Sequence, residues 1–208
     1  MGNLIFLVTL IALKTLSSSN GQFTGIVDYT GGHDLRAKSF ILYHQGVLLY
    51  TIEDPAAITY FASDSGTVFA CNEQRLYFFD ISGDSRVLAE LNYPNGFALT
   101  ADNSLFFASD KNGLHVFSAR GDPVATLLPC RLFAFNDLNS LVASISSDTL
   151  YVQDTRTGDL LSRATLKTPF ARAISFIDDR TVSIEEPSVS EQFNCLAGAR
   201  NKETRDRR

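Results

Sequence analysis

Residues 93–110 read YPNGFALTADNSLFFASD. A proline is followed by a short apolar run, a small polar turn containing Asp102 and Asn103, and a second apolar run. Neither run is long enough for a helix and both are bounded by turn formers, so they read as two strands of a hairpin. The pattern recurs at residues 55–64 (PAAITYFASD), 129–137 (PCRLFAFND) and 169–178 (PFARAISFID), with the prolines 39, 35 and 40 residues apart. Four of the six prolines thus mark one stage of a repeat.

Each copy continues in the same order. Second strands are expected at 67–71, 105–109, 141–145 and 181–184, and third strands at 76–80 (LYFFD), 114–118 (LHVFS) and 150–154 (LYVQD). A Gly-Asp turn follows at Gly83-Asp84, Gly121-Asp122 and Gly158-Asp159, then fourth strands at 86–91, 124–128 and 160–166. Four short strands in about 37 residues is the blade of a β-propeller. Before Pro55 three strands are expected, at 23–29, 39–43 and 47–52; after Pro169 three more, at 173–177, 181–184 and 192–196. The fold class is therefore all-β, a propeller of four-stranded antiparallel blades, four to five in number, with a closed ring and an open fragment as the alternatives.

Composition agrees with one globular domain. The 208 residues are 45% apolar and 20% charged, with no Trp. A net charge of −5 argues against a surface that neutralises phosphates, so no nucleic-acid partner is expected. Residues 4–13 (LIFLVTLIAL) followed by Ser17-Ser18-Ser19-Asn20-Gly21 have the length and flank of a secretory leader, too short to span a bilayer. The expected organisation is a signal peptide over 1–21, a propeller over 22–196 and a disordered basic tail over 197–208, in a secreted protein, extracellular or periplasmic, with no membrane span. Export would let one pair among Cys71, Cys130 and Cys195 form a disulfide, and the spacing selects none of them.

The stretch from Tyr93 to Asp110 resembles the blades of the SMP-30/gluconolactonase and NHL-repeat propellers, and residues 149–161 (TLYVQDTRTGDLL) resemble the third strand and turn of WD40 blades, with Gln153 where Trp is common. The resemblance is one of blade grammar over roughly residues 40–185, and it indicates fold more than activity. The gluconolactonase likeness implies a divalent cation, typically calcium, at a channel mouth, held by Asn and Asp of Pro-Asn-Gly-type loops. Of the residues that follow the repeat prolines, Ala56, Asn95, Cys130 and Phe170, only Asn95 matches, so it is the single candidate metal ligand. Asn-Gly also suits a tight turn.

Other features read as architecture. Arg120-Gly121-Asp122 is an RGD tripeptide whose Gly-Asp is the repeat-encoded turn. Asp64, Asp102, Asp137 and Asp178 recur once per blade and read as Asx-type turn caps. His115 matches Tyr77 and Tyr151 of the other third strands and is expected to pack.

No nucleophile, zincin or phosphate-loop motif is present, so no catalytic residue is assigned. Alternating strand directions gather the proline loops and the turns between second and third strands at one end of the blades. That end carries Tyr93, Asn95, Asp110, Lys111, Cys130, Arg131 and Arg172. The expectation is a non-catalytic propeller that binds a protein or a small polar ligand there, without a cofactor and in an oligomeric state the sequence leaves open. The alternatives are a divalent-metal-dependent lactonase or esterase of the SMP-30/gluconolactonase type, with calcium as its cofactor, and a truncated propeller without its own activity.

Overall fold

The computed structural model describes residues 13–29, 39–53, 59–167, 171–185, 190–195 and 200–203. Pro55 and Pro169, with Ala56 and Phe170 beside them, lie outside the described residues. No helix is present among the described residues, and none is long and apolar enough to cross a membrane. The strands build five antiparallel sheets of four, each a simple up-and-down meander of consecutive strands. These are propeller blades.

Two compact units, Met1–Glu90 and Leu91–Arg208, divide the blades. The first unit holds blade one, β1 (Leu13–Ser17), β2 (Phe23–Asp28), β3 (Ser39–His44) and β4 (Val47–Glu53), and blade two, β5 (Thr59–Ala62), β6 (Val68–Cys71), β7 (Arg75–Phe79) and β8 (Ser85–Glu90). The second unit begins with blade three, β9 (Gly96–Leu99), β10 (Leu105–Ser109), β11 (Leu114–Ser118) and β12 (Pro123–Leu127). Blade four is β13 (Leu132–Phe135), β14 (Leu141–Ser146), β15 (Thr149–Asp154) and β16 (Leu160–Thr165). Blade five is β17 (Ala173–Asp178), β18 (Thr181–Glu185), β19 (Ser190–Asn194) and β20 (Arg200–Glu203).

The strand sequences explain their places. Second strands such as VFAC in β6 and LFFAS in β10 are apolar almost throughout, and they are buried on both faces. Fourth strands such as SRVLAE in β8 and LLSRAT in β16 mix charge and hydroxyl groups and lie exposed. Blades pack through their aromatic faces. In the first unit Phe40 of blade one stacks on Tyr60 of blade two, ring centroids 4.7 Å apart. In the second, Phe107 of blade three stacks on Phe135 of blade four at 5.2 Å. Ala143, Ile145, Leu150 and Val152 of blade four share a core with Val182, Ile184 and Phe193 of blade five. The third and fourth strands of the first four blades share a register shift, at Leu42/Tyr43, Leu76/Tyr77, Val116/Phe117 and Val152/Gln153. A bulge at this place increases the twist of the outer strand.

The end blades differ from expectation, because each has a fourth strand. Leu13–Ser17, assigned to the leader by its hydropathy, is β1 and pairs with β2 from Leu13 opposite Asp28 to Ser17 opposite Thr24. Arg200–Glu203, expected to be disordered, is β20 and pairs with β19. Its polar sequence has no strand alternation, so the ladder to β19 supplies what the residues alone do not.

The turn after the first strand follows one design in four blades. Ser18, Ser63, Thr100 and Asn136 are buried polar residues, and each side-chain oxygen accepts the N–H of the residue that opens the return strand: Phe23, Thr67, Leu105 and Leu141. Three positions later Gly21, Gly66, Asn103 and Asn139 all take a left-handed φ, between 52° and 78°, which Gly and Asn tolerate best. The buried cap is thus the residue before Asp64 and Asp137, and two residues before Asp102. Asp102 adds bonds from Thr100 and Ser104, whereas Asp64 reaches across to blade one and accepts from Ser19 Oγ at 2.5 Å and Asn20 N–H at 2.8 Å.

Candidate functional site

The strand order places the residues that lead into β9, β13 and β17 beside the ends of β10, β14 and β18. The first strands β9, β13 and β17 are entered through Asn95, Arg131 and Arg172, whose N–H groups donate to the carbonyls of Ser109, Ile145 and Glu185. These three residues therefore occupy one blade position, although the prolines do not: Pro94 stands two residues before β9 and Pro129 three before β13. Comparison by proline had matched Asn95 with Cys130; the backbone matches it with Arg131.

At this position the side chains reach toward the next blade. Asn95 Nδ2 donates to the Cys130 carbonyl at 3.0 Å, and an Arg131 guanidinium nitrogen donates to the Ala171 carbonyl at 2.7 Å. Each acceptor is the residue before the next blade's equivalent. Ser109 Oγ adds a second bond to the Cys130 carbonyl at 3.0 Å. Asn95, the one candidate metal ligand, thus spends its amide nitrogen on a neighbouring blade. Among the described residues no group of three or more His, Cys, Asp or Glu side chains is placed to hold a metal ion.

Asp110 is at the end of β10 and is only 1% exposed. Its carboxylate accepts the backbone N–H groups of Asn92, Asn112 and Gly113 and faces His115 Nε2 at 3.2 Å. Burial alone would push this carboxyl up, but the bonds from Asn92, Asn112, Gly113 and His115 outweigh it and hold the group below the ordinary carboxylate range. Asp110 is therefore a fixed anchor that joins the proline loop to the β10–β11 turn. His115 completes the anchor, with Nδ1 3.5 Å from Thr126 Oγ1, instead of only packing.

What the anchor holds is Tyr93. Its ring is 71% exposed and its φ is 54°, an uncommon conformation for a bulky residue, more so before proline. The Lys111 ammonium lies 3.7 Å from the ring centroid, within cation–π range. Lys111 N–H in turn donates to the Asn92 carbonyl at 3.0 Å. Tyr93, Asn95, Asp110 and Lys111 are thus one cluster on blade three, while Arg131 and Arg172 open the first strands of blades four and five.

Beside these loops the three first strands line a cleft of about 540 Å³, within the range of small-molecule sites. Its lining residues include Phe97, Phe133, Phe135 and Phe176, with Asn95, Arg131 and Ser175 as the polar ones; Phe133 and Phe135 also pack on the blade-three core, and Phe176 on the core shared by blades four and five. The aromatic walls were not foreseen, because Phe in a short strand reads as core. In the structure the first strands with the sequences GFAL and LFAF are only partly buried at every position.

The remaining candidates are structural. Gly121 of the RGD tripeptide has φ 75°, as Gly83 and Gly158 have 90° and 78°, and Ser118 Oγ accepts the Arg120 and Asp122 N–H groups. Gln153 accepts the Leu128 N–H and donates to the Gly158 carbonyl, so it ties blade four to the strand link before it. Cys71, Cys130 and Cys195 are buried and free, and burial pushes all three thiols up, Cys195 to about 11. No protein-family model and no curated protein matches the chain.

Proposed function

We propose that this chain is a secreted, non-catalytic binding protein that takes a small ligand with a polar end at the proline-loop end of blades three to five. The observation that carries the reading is the cleft of β9, β13 and β17, whose lining is apolar and aromatic along the strands and includes Asn95 and Arg131 at the loop end. Tyr93 supports it, because an exposed aromatic at positive φ is a costly arrangement that packing does not require. Export rests on the apolar run of residues 4–13.

Ligand-observed NMR of the full chain with a mixture of small aromatic and aliphatic fragments tests the reading. Ser175 lines the cleft, so Ser175→Trp fills it. Fragments that bind the natural chain should compete with one another and lose their signal with the variant. Fragments that bind both chains alike, or none at all, would overturn the reading.

A further inference from the structure

Tyr93 holds a conformation that suits a different residue. Its φ of 54° is one that Gly or Asn adopts at less cost, and the side chain gains little burial in return, being 71% exposed. Backbone strain beneath an exposed ring points to a use for the ring. The ring is also held. Lys111 lies over one face, its ammonium nitrogen 3.7 Å from the centroid, and the Lys111 N–H donates to the Asn92 carbonyl at 3.0 Å. Asn92 N–H in turn donates to the buried Asp110 carboxylate at 2.8 Å, so the residues on either side of the stacked pair share one anchor. With Lys111 on one face, so large an exposure leaves the other face to solvent.

The groups beside this ring are amides. Asn92 precedes Tyr93 and Asn112 follows Lys111, both are exposed, and Asn92 Nδ2 donates to Asn112 Oδ1 at 3.3 Å. An amide carries two donors and an acceptor oxygen, so the pair still offers the Asn112 nitrogen and the Asn92 oxygen. The carboxylate of the cluster, Asp110, is turned to the Asn112 and Gly113 N–H groups and is not presented to a ligand. An aromatic or aliphatic ligand would use the ring and leave the amides aside. A pyranose uses both: its axial C–H bonds meet the negative face of the ring, and its equatorial hydroxyls, each a donor and an acceptor, point outward in the plane where amides can reach them.

We propose that Tyr93, with Asn92, Lys111 and Asn112, is a platform for one pyranose ring of a saccharide, the sugar stacking on the face opposite Lys111 and its hydroxyls meeting the Asn92 and Asn112 amides. None of these four residues lines the cleft of β9, β13 and β17, so the platform is a second site and does not rest on the binding reading above. A ring fixed before the ligand arrives loses little freedom on binding.

Saturation-transfer NMR of the full chain with methyl β-D-xyloside, xylotetraose and xylitol tests it. The xyloside has only equatorial substituents, and at millimolar concentration it should bind with the protons of one ring face receiving more saturation than those of the other. Xylitol, which has the hydroxyls without a ring face, should not bind. Xylotetraose should bind only a few-fold more tightly than the xyloside, because one platform takes one ring. Tyr93→Ala should abolish the signal of both sugars, Tyr93→Phe should keep it, and Asn112→Ala should weaken it. Ser175→Trp, which fills the cleft, should bind both sugars as the natural chain does. No binding of the xyloside to the natural chain, equal binding of xylitol, or sugar binding that survives Tyr93→Ala would overturn the inference. Loss of sugar binding in Ser175→Trp would overturn it too, by moving the sugar into the cleft, and would leave the binding reading standing.

Discussion

At the residue scale Asp110 organises the loop end of blade three. Three backbone N–H groups and His115 converge on a carboxylate that is almost fully buried. Removing it leaves those donors without their acceptor, and an unsatisfied buried donor costs free energy of the order of a lost hydrogen bond or more. Asp110→Ala is expected to lower stability by about 2–4 kcal/mol in urea unfolding, and Asp110→Asn to lose less because one oxygen acceptor remains. An alanine variant that unfolds with the natural midpoint would show that the anchor is dispensable. Tyr93→Ala removes an exposed ring and should barely change the midpoint, which separates a presenting residue from the anchor that holds it.

At the element scale, the middle blades were legible because local chemistry and tertiary environment agree. The strands expected at 105–109 and 114–118 are β10 and β11 without adjustment. Other strands moved by a residue or two where the turn, and not the apolar run, sets the boundary. The first strand was hidden for a physical reason. An apolar run that enters a sheet and one that enters a translocon have the same hydropathy, so hydropathy alone does not show that residues 13–17 form a strand. Gly21 N–H donates to the Ser18 carbonyl at 3.0 Å just as Gly66 N–H donates to the Ser63 carbonyl at 3.1 Å. That turn is the blade's own, and a cut within Ser17 to Gly21 would take β1 away. The Asn95 site was only half legible, since proline spacing gave the loop but not the register that makes Asn95, Arg131 and Arg172 equivalent. A chain starting at Gln22 should melt at lower temperature than one starting at Leu13, through loss of the β1–β2 ladder. Equal melting would make β1 expendable.

At the scale of the whole molecule, acid is the expected weakness. Asp80, Asp102, Asp110, Asp154 and Asp178 all hold their carboxyls below the ordinary carboxylate range. For Asp80 the chief cause is the Ser82 hydroxyl, for Asp154 the Thr157 N–H and for Asp178 the Arg180 N–H; for Asp102, as for Asp110, burial opposes the shift and the hydrogen bonds prevail. A carboxyl whose folded pKa lies below its unfolded value contributes stability that is present above the unfolded value and is lost as pH falls through the folded one. Stability should therefore fall below about pH 4, as these carboxyls take up protons. A flat unfolding midpoint between pH 5 and pH 3 would contradict the turn assignments.

The measurement that bears most directly on the binding account is residue-resolved NMR of the labelled full chain during titration with the fragments that bind it in the ligand-observed experiment. The account predicts amide shifts concentrated at Gly96 to Ala98, Arg131 to Phe135 and Ile174 to Phe176, saturating together and absent in Ser175→Trp. Shifts confined to other blades, or scattered without saturation, would contradict it.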